Sequence, residues 1–274
     1  MPAIMEPTPP AALRLALRLR AATAAAVRAS ARRCLAAQRR LRPADVSRKG
    51  LGDFVTKVDV REERVLRREL GALLPEAGFL GEESSPSQLD RDWIWVVDPI
   101  DGTSNFAHRL PHWAVSVALL HRRQPVLACI HCMPEQAGYV AVHGRGVQRE
   151  GRRLRLAAGR LDDAAIVGCQ WFRGQQDLRF LERLQSRGAR IRTLGSSVTQ
   201  LADVAAGRLD GNVQEQGRVW DIAAAGLVVV EAGGLFTDWQ GRPVFPFPSL
   251  EVEHTATIAA HRSVHRALLR DLQG

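Results

Sequence analysis

Residues Trp93 to Asp101, WIWVVDPID, constrain the fold more than any other stretch of the 274-residue chain. Trp93 to Val97 are apolar at every position and read as a strand buried on both faces within an α/β core. Asp98 lands at the carboxyl end of that strand. Pro99 permits no regular continuation, and Asp101-Gly102 forces a turn. Two acids three residues apart, on either side of a proline-containing turn, can converge on one point. That is a poor way to build a core and a good way to hold a cation.

Around this stretch the chain divides by texture. An amphipathic helix is expected from about Ala11 to Leu41, its stripe formed by Leu13, Leu17, Ala24, Val27, Ala31 and Cys34. Arg48 to Gly52 reads as a basic, glycine-punctuated loop. Asp59 followed by Glu62 has the form of a helix N-cap with a capping box, and Val65, Leu66, Leu70, Leu73 and Leu74 supply that helix's apolar face. Trp113, Val115, Val117 and Leu119 alternate with Ala114, Ser116 and Ala118, the pattern of a half-buried strand. Val126 to Met133 and Tyr139 to Val142 read as its neighbours, and Gly144 to Arg153 as a hairpin. From Leu161 strands and helices alternate: strands at Ala165–Cys169, Ala189–Leu194, Leu209–Val213, Leu235–Trp239 and Ala256–Ala260; helices at Asp177–Gln185, Ser196–Ala206, Asp221–Ala232 and Ser263–Leu272. The expected organisation is one compact catalytic unit in two halves, residues 1–160 and 161–274.

Composition narrows the function classes. Hydrophobic content of 46% with 24% charged residues is ordinary for a globular protein, and no apolar run reaches the roughly 20 residues of a transmembrane helix. The formal charge of +9 raises a nucleic-acid reading, but no run of five basic residues and no RNA-binding aromatic signature accompanies it; attraction of phosphorylated anions fits better. Cys129 and Cys132 form a lone CxxC inside an apolar strand, where cysteine acts as a small hydrophobe. A reducing, cytoplasmic setting fits the chain's four cysteines. The arginine- and alanine-rich N-terminus has the flavour of a mitochondrial transit peptide, but its helical stripe favours a mature amphipathic helix.

The candidate site gathers Glu82, Asp98, Asp101 and Asp221, with Asp59 as a possible fifth acid. Asp221 alone reads as a helix N-cap. If the acids converge, their repulsion demands a cation, and oxygen ligands without His or Cys favour Mg²⁺, with Mn²⁺ able to substitute. Gly102 and Thr103 offer close backbone approach and amides suited to phosphate.

WVVDPIDGTSNFAH and WDIAAAGLVVVEAGG, in this order, resemble the two signature motifs of the inositol monophosphatase family. The likeness extends to DFVTKVD at Asp53–Asp59, GEE at Gly81–Glu83 and LGSSVTQLADVAAGRLDG at Leu194–Gly211. It implies a layered αβαβα sandwich of the inositol monophosphatase and fructose-1,6-bisphosphatase type, Mg²⁺-dependent phosphomonoester hydrolysis, a homodimer and inhibition by Li⁺. By position it implies Glu82, Asp98, Asp101, Asp221 and the Ile100 carbonyl as metal ligands. It implies Thr103, Asp59 and Glu82 as the groups acting on the attacking water, and Gly102, Thr103, Gly195, Ser196 and Glu215 against the substrate. Glu215 stands six residues before Asp221, where the family usually has seven, so the connecting loop is one residue shorter. Inositol monophosphate is the leading substrate. Alternatives are 3′-phosphoadenosine 5′-phosphate, fructose 1,6-bisphosphate, histidinol phosphate and NADP, or a transcription-associated member that binds RNA polymerase.

Overall fold

The computed structural model describes residues 8–50, 53–170, 179–251 and 254–273. Helix α1 (Pro10–Gln38) leads to strand β1 (Val46–Gly50), which pairs antiparallel with β2 (Asp53–Thr56), and then to α2 (Lys57–Leu73). A seven-stranded sheet follows, built from β3 (Gly78–Gly81), β4 (Trp93–Asp101), β5 (Ala114–His121), β6 (Gln124–Cys132), β7 (Ala137–Val142), β8 (Gly146–Arg149) and β9 (Arg152–Leu154) in sequential order, with the short helix α3 (Thr103–Ala107) after β4. Only the β3–β4 pairing in this sheet is parallel.

The remainder alternates: β10 (Ile166–Gln170), α4 (Arg179–Ser186), β11 (Arg190–Arg192), α5 (Ser197–Ala205), β12 (Gly211–Gly217), α6 (Val219–Glu231), β13 (Leu235–Thr237), β14 (Thr255–Ala260) and α7 (Arg262–Gln273). These strands form a second, mixed sheet in the order β11-β10-β12-β14-β13. Helices α1 and α2 cover one face of the first sheet, α5 and α6 fill the space between the sheets, and α4 and α7 cover the far face of the second. The result is the expected αβαβα sandwich.

Several local expectations are corrected. Strand β5 is buried on both faces: Val115, Val117 and Leu119 pack toward α1 and α2, while Ala114 and Ala118 face the layer of α6. Its small residues meet a helix that is itself Ala223-Ala224-Ala225-Gly226, so small-on-small packing, not water, explains the alternation. Strand β4 does continue through Pro99; the register against β5 jumps from Asp98↔Ser116 to Asp101↔Ala114. Pro99 and Ile100 thus sit opposite the single residue Val115, in a bulge where proline's missing N–H disturbs no regular ladder.

The buried stripe of α1 includes Ala12, Ala16, Leu19, Thr23, Val27, Ser30, Ala31 and Cys34, with Leu13, Leu17 and Ala24 only partly buried. It admits Thr23 and Ser30 because each has a local acceptor, the Leu19 carbonyl at 3.0 Å and the Glu62 carboxylate at 3.1 Å. Arg48 to Gly50 belong to a strand rather than a loop. Leu51 and Gly52, and Asp177 and Leu178 at the expected start of α4, lie outside the described residues. No described helix is long and apolar enough to cross a membrane.

All four cysteines are buried and unbridged, as the apolar reading of CxxC anticipates. Burial pushes every one of these thiols upward, Cys169 to about 12. Thiolate is the reactive form. Titration with a colourless-to-coloured thiol reagent at neutral pH should therefore detect almost no reaction in the native protein and all four groups after denaturation. A rapidly reacting thiol in the native state contradicts this packing.

Candidate metal centre

One β-bulge and three helix N-termini position the acids. On β4, Asp98 accepts from the Ile100 amide across the bulge at 2.9 Å, which turns its carboxylate back toward Asp101. Asp101 is held from the other sheet's layer: the Ser197 and Val198 amides at the start of α5 donate to it at 3.2 and 2.8 Å, and the Ser196 hydroxyl donates as well. Asp221 is not the N-cap of α6. Arg218 is, and Asp221 stands three residues on, accepting from the Arg218 amide at 2.9 Å. The same shift occurs at α2, where Thr56 is the N-cap and Asp59 accepts from its amide at 3.0 Å. In both helices the acid occupies the inner position of the capping box rather than the cap.

One carboxylate oxygen from each of Asp98, Asp101 and Asp221 falls within 4.8 Å of the others. Glu82 lies outside that trio; it follows β3 beside Val97, whose carbonyl accepts from its amide at 3.3 Å, and its charge acts on both Asp98 and Asp221. Asp59 is fully buried and accepts from Thr103 Oγ1 at 3.1 Å and from the Thr56 hydroxyl. Thr103 Oγ1 also lies 2.9 Å from the Ile100 carbonyl, so its single proton has two acceptors.

The electrostatics follow from burial. Desolvation raises the Asp98 carboxyl well above its usual range, and the charges of Glu82, Asp101 and Asp221 push the same way. Asp221 is raised by burial, Asp101 and Glu82, against only partial relief from Arg218. Asp101 rises to about 6 from burial, limited by its donors from Ser196, Ser197 and Val198. Asp59 also rises to about 6 from burial, with Thr56 and Thr103 opposing. Three converging, oxygen-only donors that repel one another fit a hard divalent cation such as Mg²⁺.

Gly102 has φ +90°, and a Cβ there would come within 2.8 Å of the His112 carbonyl and 3.0 Å of the Ser196 side chain, so the turn after Asp101 requires glycine. Ser196 is buried and caps α5, with its hydroxyl committed to Asp101; neighbouring Gly195 is exposed at φ +73°. Glu215 is partly buried on β12. The segment after it is a strand, not a free loop: Glu215 and Gln216 bulge between the pairs Gln214↔Thr257 and Gly217↔Thr255, after which Arg218 opens α6.

Two supporting residues escape sequence reasoning. Asn105 donates from Nδ2 to both the His112 and Leu194 carbonyls at 2.7 Å, tying the turn after Asp101 to the turn before α5. It sits in the TSNFAH run, but only its partners reveal its work. Glu63 is buried and accepts from the Glu83 amide at 2.8 Å, and a Cβ on Gly81 would meet its carboxylate at 2.4 Å. A charged residue facing inward among the apolar positions of α2 is the signal that could have exposed it.

Known proteins agree with this architecture. The model of the Inositol monophosphatase family matches residues 15–274. Inositol-1-monophosphatase of Rhizobium meliloti is 40% identical over 202 residues, covering 72% of this chain and 76% of that protein. Nus factor SuhB of Escherichia coli K12 is 37% identical over 203 residues, with 72% and 76% covered. The crystal structure of the extragenic suppressor protein suhB from Bartonella henselae superposes with a TM-score of 0.82 at 31% identity, covering 96% of this chain and 98% of that one.

The raised carboxyls set a sign for pH dependence. Acids with elevated folded pKa values hold protons more tightly in the native state, so the contribution of these acids to cation-free stability is greatest at low pH and is lost as pH rises through the folded values, about 6 for Asp101. A bound divalent cation replaces those protons. Thermal melts with chelator and with Mg²⁺ should show a gain in Tm at pH 7.5 clearly larger than at pH 5. An equal gain at both pH values, or none, contradicts a cation at these acids.

Proposed function

This chain belongs to the inositol monophosphatase family, and we propose that it hydrolyses phosphate monoesters, with an inositol monophosphate as substrate and Mg²⁺, replaceable by Mn²⁺, as cofactor. The observation that carries this reading is the convergence of Asp98, Asp101 and Asp221 within 4.8 Å, beside the Asp59–Thr103 pair. Glu82, the Ile100 carbonyl and those three acids would hold the cation. When bound, it supplies positive charge against phosphate oxygens and acidifies water.

The chain's own groups do the rest. Thr103 Oγ1 donates to Asp59 Oδ1 or to the Ile100 carbonyl, which leaves its lone pairs to accept from, and so aim, the attacking water. Asp59, lifted to about 6, is ionised at neutral pH yet basic enough to take the proton that Thr103 passes on. Glu82 acts on the same water from the end of β3, the strand beside β4. The Gly102 and Thr103 amides, at the first turn of α3, bind the phosphate oxygens. Gly195 lines the substrate wall. Ser196 serves it indirectly, by fixing Asp101. Glu215, at the β12 bulge, reaches for a substrate hydroxyl.

A homodimer, inhibition by Li⁺ and a cytoplasmic setting belong to the same reading, supported by family membership and by the unbridged cysteines. The relatives named Nus factor SuhB support a second reading, in which the chain also serves in transcription beside RNA polymerase.

Phosphate release should be measured from inositol 1-phosphate, fructose 1,6-bisphosphate and 3′-phosphoadenosine 5′-phosphate, with Mg²⁺ and with chelator. Inositol 1-phosphate should be the fastest substrate, and chelator should abolish turnover. Asp98→Asn should lower turnover by about 100-fold or more without loss of fold. Much faster hydrolysis of 3′-phosphoadenosine 5′-phosphate would overturn the substrate, and full activity in Asp98→Asn would overturn the metal centre.

A further inference from the structure

The net charge of this protein has a single source. Residues 10–42 contain nine arginines and no Asp, Glu or Lys, which equals the formal +9 of the whole chain; the other 29 basic residues are matched by the 29 acids. In sequence those arginines look scattered. On α1 and its C-terminal cap they are not. Arg14, Arg18, Arg28, Arg32 and Arg39 follow one another, through Ala21, Ala25 and Ala36, at spacings of three and four residues. All five are exposed, and their stripe lies opposite the buried one of Ala12, Ala16, Leu19, Thr23, Val27, Ser30 and Cys34.

Arg28 pairs with Glu150 at 3.2 Å, both groups exposed, whereas among the described residues Arg14, Arg18, Arg32 and Arg39 make no ion pair. Like charges at four-residue spacing repel. Apart from Glu150 beside Arg28, no described acid pairs with the stripe, so most of its charge is left for an anion from outside.

The geometry selects the class of anion. From Arg14 to Arg39 the stripe runs about 37 Å at 1.5 Å per residue, close to one turn of a nucleic-acid duplex. Guanidinium groups bind phosphate in a forked, bidentate way. The stripe carries only arginine and alanine, and the one large exposed hydrophobic residue described anywhere is Leu110. Base stacking is therefore unsupported, which disfavours a single strand. The apolar side of α1 is occupied by the seven-stranded sheet, so it has no face to sink into a bilayer.

We propose that the outer face of α1 binds the phosphodiester backbone of a nucleic-acid duplex without reading its sequence. This surface is independent of the hydrolytic site, and neither reading needs the other.

Fluorescence anisotropy of the full chain with two labelled duplexes of roughly 24 base pairs and unrelated sequence, about two helical turns, tests the proposal. Both should bind alike, and log K against log[salt] should fall with a slope of about −4 to −5, as expected for five phosphate contacts. The combined variant Arg14→Gln, Arg18→Gln, Arg32→Gln, Arg39→Gln should weaken both by at least about tenfold and flatten the slope by about 4. Its Tm and its phosphate release should match the parent protein. Arg152→Gln with Arg153→Gln, an exposed pair on β9, should leave binding unchanged. Three outcomes would overturn the proposal: parent-like binding by the α1 variant, equal weakening by the β9 pair, or binding only to phosphatidylserine vesicles and not to either duplex.

Discussion

Asp98 and Asp101, both buried, and Asp221, partly buried, repel one another within 4.8 Å, and much of the surrounding structure exists to hold them there. Each is restrained by a donor that its own or a neighbouring element supplies. The Ile100 amide restrains Asp98, the first amides of α5 restrain Asp101, and the Arg218 amide restrains Asp221. Helix α2 adds two further buried acids. Glu62 is neutralised by Arg33 and Arg61, while Glu63 clamps the backbone that carries Glu82. Charge is balanced at the periphery and left unbalanced at the centre, which is the electrostatic form of a cation site.

How much of this can be read from the sequence depends on the range of the interaction. The apolar run of β4, with two acids at its end, announces both the α/β core and the candidate site, because burial on two faces and a proline turn are local properties. The layered fold is legible through the motifs that resemble a known family. What local reasoning misreads is the other side of each element. Ala114 and Ala118 look solvent-facing because small residues and surface residues are alike in a one-dimensional pattern, and only α6 arriving from the second half makes them core. Asp59 and Asp221 look like N-caps because a cap and the inner acid of a capping box differ by three residues, and the true caps differ in kind, Thr56 at one helix and Arg218 at the other.

The supporting residues were illegible for the same reason. Asn105 and Glu63 act through backbone atoms, which have no signature in sequence. The bulge that holds Glu215 and Gln216 in β12 is likewise invisible in the sequence, because it depends on the register against β14. The charge of α1 illustrates the opposite case, a property visible in composition whose meaning depends on helical phase.

Asp101 grows from the first sheet, yet its oxygens are gripped by α5, a helix that packs against the second. The pattern of negative charge therefore cannot exist in a chain that has folded only one of its sheets. Such an intermediate would carry Asp98 and Asp101 on one strand but lack Asp221 and the α5 amides that fix Asp101, and so lack the full repulsion of the finished cleft. An ion entering afterwards would act as a rivet through two layers. Its release would loosen the seam between them, making the occupancy of a small inorganic ion a gauge of how completely the molecule is assembled.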